Sequence, residues 1–376
     1  MPSDVNTTRM LDSFLRLIRI DGPSRRERDV ADYLKERLAG LGFSIFEDDT
    51  QAKTGCNAGN VVATLWGTAP GAPAIFFSAH MDTIEPTAGL EPIVEGGQIR
   101  SGGQTVLGAD DRAGIAAILE GIQSAQEKKI PHGDLQVIFT VGEEIGLVGA
   151  KHLDCGRIKA RAGFVVDSGE EVGAAVVRAP WEIDFRAIVI GRAAHAGVEP
   201  EKGVNAIQVA GKALATMRLG RIDPETTANV GVIRGGSMTN VVPDRAELEG
   251  EVRSLNPEKA RAQLEEIRGV LRRATESSGA RLEFESEEAY PGFSLDEDAL
   301  PVRLFQAAAR AAGLEPRLVP RGGGSDTNIY NSRGLRAVNL GMGAKEEHTH
   351  GEHVAEADLE RAADLILKII GQSAKP

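Results

Sequence analysis

A chain of 376 residues has length enough for two or three domains of about 150 residues each. Its 41% hydrophobic and 26% charged residues exclude a disordered chain, and its size lets it bury a large core without disulfides. A net charge of −12 argues against nucleic acid as a partner, because a general polyanion binder carries a basic excess.

At the N-terminus, MPSDVNTTRMLDSF has no basic segment leading into an apolar stretch, so it does not read as a signal peptide. No run approaches the ~18 apolar residues of a membrane span. Cys56 and Cys155 stand far apart with no CxxC pair, which indicates neither a disulfide framework nor a cysteine zinc site. A cytoplasmic protein without membrane contact is the expectation.

Met10, Leu11, Phe14, Leu15, Leu17 and Ile18 recur at helical spacing. Ser24 and Glu27 form a capping-box pattern, predicting a second helix from Ser24 that carries Val30, Tyr33, Leu34 and Leu38 on one face. Gly40 and Gly42 supply its stop. Apolar runs at 61–66, 74–78, 135–140 and 164–166 predict strands, and 111–125 predicts a helix between them. This alternation implies an α/β domain with a mostly parallel sheet covered on both faces. The middle of the chain differs. Strands at 183–190, 230–234, 247–255 and 281–287 and helices at 204–219 and 258–278 give the order β-α-β-β-α-β, a ferredoxin-like unit. After Pro291 and Gly292, helices at 299–312 and 357–370 and a strand at 335–340 restore the first character. The expectation is one α/β domain, residues 1–179 and 291–376, interrupted by a second, residues 180–290.

Acidic and histidine clusters follow the apolar runs. In AIFFSAHMD, His80 and Asp82 lie two apart on one strand, so Asp82 can support a metal-ligating His80 through its second ring nitrogen. A turn histidine beside an Asp cap is the plain alternative. Asp110 and Asp111 precede a helix, where an ordinary N-cap also places Asp. Glu143 and Glu144 follow a strand. Buried side by side they would raise each other's pKa unless a cation offset them, whereas in a loop they would simply be solvated. Asp167 ends a strand, and the carboxyl edge of a sheet is where α/β proteins place ligands. EEHTHGEH holds His348, His350 and His353, three of the seven histidines. Together these bring two histidines and several carboxylates to one sheet edge. The set suits zinc, with cobalt or manganese as replacements, and its size favours two ions sharing a carboxylate.

The order HMD, GADDRAG, GEEIGLVGA, VDSG and HxxxE resembles the co-catalytic zinc peptidase family that includes peptidase T, acetylornithine deacetylase, succinyl-diaminopimelate desuccinylase, aminoacylase and carboxypeptidase G. FFSAHMDTI, TVLGADDRAG and EEIGLVGAK look closest to peptidase T-like members, and the resemblance covers nearly the whole chain. It implies that His80 and Asp167 ligate one metal ion, that Glu144 and His348 ligate the other, and that Asp110 bridges the two. Asp82 would orient His80, Glu143 would be the general base, and the Asp110–Asp111 peptide would be cis. The insert resembles the family's lid and dimerisation domain. His195 matches a lid histidine that stabilises the oxyanion, often in a partner's site. Asn240 and Arg253 match polar lid positions that contact substrate. RGGGSDTN looks like the family's glycine loop, where Arg321 could hold a substrate carboxylate. His195 reads equally as a surface-loop histidine and Arg253 as an exposed strand residue in a salt bridge. His350 and His353 fall off the ligand position, and His132 and His152 read as structural.

The resemblance implies metal-dependent hydrolysis of peptide bonds in short peptides, by a metal-bridged hydroxide with Glu143 as base, in the manner of a tripeptide aminopeptidase. An N-acyl amino acid deacylase or a carboxypeptidase of the same family is the alternative. A non-catalytic binding protein on this fold is disfavoured, because every matched ligand and the base are retained. A homodimer through the lid domain is expected.

Overall fold

The computed structural model describes residues 4–375. Two compact units emerge. One comprises the chain up to Val177, Ser294–Pro320 and the chain from Ser325 on. The other comprises Arg178–Phe293 and the short stretch Arg321–Gly324. Each has its own apolar core.

In the first unit, four parallel strands form the centre of a larger sheet, in the order Leu135–Thr140, Ile75–His80, Ala162–Ser168 and Ala337–Gly341. Their residues are buried almost without exception, as unbroken apolar runs in a covered sheet should be. Antiparallel strands flank them, Val61–Leu65 and Ser44–Glu47 beyond one side and Ala174–Ala179 on the other. Pairing His80 with Thr140 aligns the strand ends, so the residues that follow each strand gather at one edge. The helix Ala109–Glu127 packs on the last helix, Glu356–Ser373, closely enough that a Cβ on Gly121 would lie 2.6 Å from Ile366 Cγ2. No helix among the described residues is long and apolar enough to cross a membrane.

The second helix differs from its sequence expectation. It runs Arg28–Gly40, four residues later than the Ser24 start, and no side chain caps it. Ser24 and Glu27 are engaged elsewhere.

The second unit is an antiparallel sheet in the order Gly220–Asp223, Thr226–Gly235, Arg245–Ser254, Trp181–Ile190 and Arg281–Tyr290. Helices Ala206–Thr216 and Pro257–Ser278 supply its core together with the strands' inward residues. Asn256 caps the long helix by accepting from Glu258 and Lys259, and Gly279, at φ +66°, ends it. Removing the short strand Gly220–Asp223 leaves the β-α-β-β-α-β order.

Candidate metal centre

His80 closes its strand wholly buried, with Nδ1 3.0 Å from the Asp82 main-chain oxygen and 3.4 Å from Asp82 Oδ1. A carbonyl only accepts, so Nδ1 carries hydrogen, and a neutral ring presents its lone pair from Nε2. Nε2 faces Asp110 Oδ1 at 2.9 Å and Asp167 Oδ1 at 3.8 Å. The support expected from the Asp82 carboxylate thus comes mainly from its main chain. The carboxylate itself accepts the N–H groups of Glu143 and Glu144 at 3.0 and 3.2 Å, and the Ser24 hydroxyl at 2.7 Å. It fixes the turn after the Leu135–Thr140 strand.

Asp110 and Asp111 lie within the first turn of the Ala109–Glu127 helix but have non-helical backbones, and the peptide joining them is cis. Glu352 grips the main chain on both sides of that turn's start, accepting from Gly108 N at 2.7 Å and Asp110 N at 2.9 Å. Asp111 accepts the His80 N–H at 3.1 Å. Asn339 holds Asp167 in place by accepting from its N–H at 3.0 Å and donating to its carbonyl at 2.9 Å. His348, in a turn at φ +62°, reaches Asp110 Oδ2 at 3.2 Å and Glu144 Oε2 at 3.1 Å.

Two triads result, His80–Asp110–Asp167 and Asp110–Glu144–His348, each with its ligand atoms within 4.8 Å of one another. Asp110 gives Oδ1 to the first and Oδ2 to the second. The electrostatics demand positive charge here. Burial, then the Asp167 charge, pushes the Glu143 carboxyl well above its ordinary range, and burial also raises Glu144. Glu144 Oε1 is buried without a hydrogen-bond partner. Hydrogen bonding to the Asp110 and Glu144 carboxylates raises His348 to about 10. Three carboxylates and two imidazoles, with one buried oxygen unused, fit a pair of divalent cations.

The other expected site residues lie in the second unit. His195 is exposed and pairs across an isolated bridge with Val241, and Asn240 O accepts from Ala196 N at 2.9 Å. His195 Nδ1 accepts from Gly197 N–H at 3.2 Å, which leaves Nε2 as a hydrogen-bond donor. Arg253 is already engaged. Glu251 holds its guanidinium with two bonds of 2.9 Å, Glu182 lies 3.1 Å from Nε, and Tyr290 accepts at 3.3 Å. Arg321 donates its main-chain N–H to Arg178 O at 2.9 Å, and a Cβ on Gly324 would overlap the Tyr290 ring. The glycine loop therefore belongs with Tyr290 and Arg253, a link that sequence order hides.

The remaining histidines stand outside the triads. His350 pairs with Glu85 at 2.9 Å, and His353 Nδ1 lies 2.9 Å from Gly351 O. Buried His132 bonds the Gly133 carbonyl at 2.7 Å, and exposed His152 ends the helix Val148–His152. Glu27, Asn339 and the grip of Glu352 were not legible as site features. A partial signal existed for Glu352 in the HxxxE spacing, and none for the other two.

Residues 183–278 match the model of the M20 peptidase dimerisation domain, and residues 60–168 match that of peptidase family M28. YqjE of Bacillus subtilis is 43% identical over 99% of this chain and 100% of its own length. Among solved structures, an aminopeptidase PepT from Bacillus cereus is 43% identical, covering 99% of this chain and 100% of its own, with a TM-score of 0.92. A tripeptidase from Staphylococcus aureus is 39% identical, covers 98% of this chain and 99% of its own, and has a TM-score of 0.95.

Proposed function

Because the chain belongs to the peptidase T-like M20 metallopeptidases, we propose that it hydrolyses the first peptide bond of short peptides, tripeptides foremost. The observation that carries this reading is Asp110, whose two carboxylate oxygens serve two separate ligand triads. His80 and Asp167 would hold one zinc ion, Glu144 and His348 the other, with Asp110 between them; cobalt or manganese could stand in. Bound there, the metal ions supply polarisation of the scissile carbonyl and a water that ionises near neutral pH.

The chain's own groups do the rest. The Glu143 carboxylate takes the proton of the attacking water and passes it to the leaving amine. Its main-chain N–H is fixed on buried Asp82, so the carboxylate is aimed before substrate arrives. His195, with hydrogen on Nε2, is a donor suited to a developing oxyanion. Asn240, Arg253 and Arg321 are proposed to contact substrate. For Arg253 the Glu251 fork limits this role to the hydrogens of Nη1 and Nη2 that remain. The dimerisation-domain match supports a homodimer formed through the second unit.

The test is a product assay of zinc-loaded protein on di- and tripeptides beside N-acetyl and N-succinyl amino acids. Release of the N-terminal residue from tripeptides is expected. Turnover confined to the acylated amino acids would replace this reading with a deacylase.

A further inference from the structure

Ser24 and Glu27 look like a helix cap in the sequence, yet neither caps the Arg28–Gly40 helix. Glu27 is wholly buried, and its Oε1 accepts from Arg25 N at 2.8 Å and from Gly142 N at 3.1 Å. Gly142 opens the turn that carries Glu143 and Glu144. The next two N–H groups of that turn go to Asp82, whose Oδ2 also accepts the Ser24 hydroxyl at 2.7 Å. Three consecutive main-chain N–H groups are thus held by two buried carboxylates, and one four-residue stretch near the N-terminus supplies both Glu27 and the donor to Asp82.

This arrangement is costly for a mere loop closure. Glu27 Oε2 is buried with no hydrogen-bond partner. Arg112, itself buried, feels the charges of Asp82 and Glu27, with Asp111 and Asp21 behind them, and its Nε and Nη1 have no hydrogen-bond partner either. Half-satisfied ionic groups in a core weaken it unless they hold something in place. The turn is also closely packed, since a Cβ on Gly142 would lie 2.5 Å from Val148 Cγ2.

We infer that Ser24 and Glu27 are positioning residues of the peptidase site. Glu27 holds the start of the 142–144 turn, and Ser24, through Asp82, holds its next two residues, so that the Glu143 and Glu144 side chains leave the turn in fixed directions. The inference rests on Glu143 and Glu144 being the base and a metal ligand, as proposed above.

Three variants test it. E27D withdraws the carboxyl group by one methylene but keeps it titratable. E27Q keeps an acceptor oxygen in place and removes the charge. S24A removes only the hydroxyl. Each is measured for kcat and KM on a tripeptide, for zinc binding by calorimetry, and for amide exchange of residues 141–147 in the metal-free protein. E27D should lose about 10–100-fold in kcat with KM unchanged, exchange its turn amides faster and bind one of two zinc ions more weakly. S24A should show the same pattern to a smaller degree, and E27Q should stay within about threefold of the parent in every readout. Parent-like kcat and exchange in folded E27D and S24A would overturn the inference, and so would an E27Q as impaired as E27D. Should E27D not fold, S24A decides alone: a kcat loss with faster turn exchange supports the inference, and parent behaviour overturns it. A parent protein inactive on every tripeptide would instead defeat the proposed function, while exchange and zinc binding still decide the role of Ser24 and Glu27.

Discussion

At the scale of single residues the site depends on carboxylates used at both ends. Asp110 offers its side chain to two triads while Glu352 holds its N–H, and Asp82 supports His80 through its carbonyl while its carboxylate holds the 143–144 turn. Separating aim from chemistry gives two expectations. Glu143→Gln leaves both triads intact, so metal analysis should still find two ions per chain while kcat falls by about two to four orders of magnitude. Parent-like turnover would remove Glu143 from the base role. Glu352→Gln retains one acceptor oxygen where two N–H groups need one each. Calorimetry should show zinc affinity about 10–100-fold weaker, and an unchanged affinity would mean that Asp110 is held without Glu352.

At the scale of elements, the sheet edge is kept in place by helices that approach closely and by ion pairs along their flanks. The contact of Gly121 with Ile366 leaves no room for a methyl group, so Gly121→Ala should cost about 1–3 kcal/mol in chemical denaturation despite the better helix propensity of alanine. Ser44–Glu47 is tied to the Arg28–Gly40 helix by Glu47, which meets both Arg28 and Lys35. Burial works against the Glu47 charge, but the Arg28 and Lys35 hydrogen bonds outweigh it and hold the carboxyl at about 2, below its ordinary 4.5. A pKa lowered by folding means a contribution present above about pH 4.5 and lost as pH falls through about 2. Allowing for solvent screening of this partly exposed group, Glu47→Gln should cost ~1–2 kcal/mol at pH 7, and the gap should close on acidification toward pH 2. A gap independent of pH would show that Glu47 contributes by packing instead.

At the scale of the molecule, the proposed dimer and the proposed work of His195 can be tested together. If His195 serves the partner's site, mixing a Glu143→Gln chain with a His195→Ala chain places both defects in one site of the hybrid and none in the other. Random pairing should then restore about a quarter of parental activity. No recovery, with hybrids demonstrated by mass, would confine His195 to its own chain.

The two kinds of sheet were legible in the residue pattern, and the residues that now stand in the two triads were named there through the family resemblance. Buried parallel strands must be apolar along their whole length, and the polar residues at or just beyond their ends stand out against that background, as His80 and Asp167 do, and as Glu144 does in the turn after Leu135–Thr140. Asn256 and Gly279 close the two ends of the long helix by local chemistry. Short strands such as Pro92–Glu95, Gln98–Ser101 and Arg317–Pro320 were missed, because they are half exposed and their sequences lack an apolar run. The partners of residues far apart in the chain are set by the folded chain and not by local sequence. Glu27 meets Gly142 across 115 positions, Glu352 meets Gly108 across 244, and Arg253 meets Tyr290 across 37. A carboxylate carries no local mark of whether it will cap a helix, ligate a metal or hold a distant turn, because that choice belongs to whichever buried donor the fold brings within 3 Å of it.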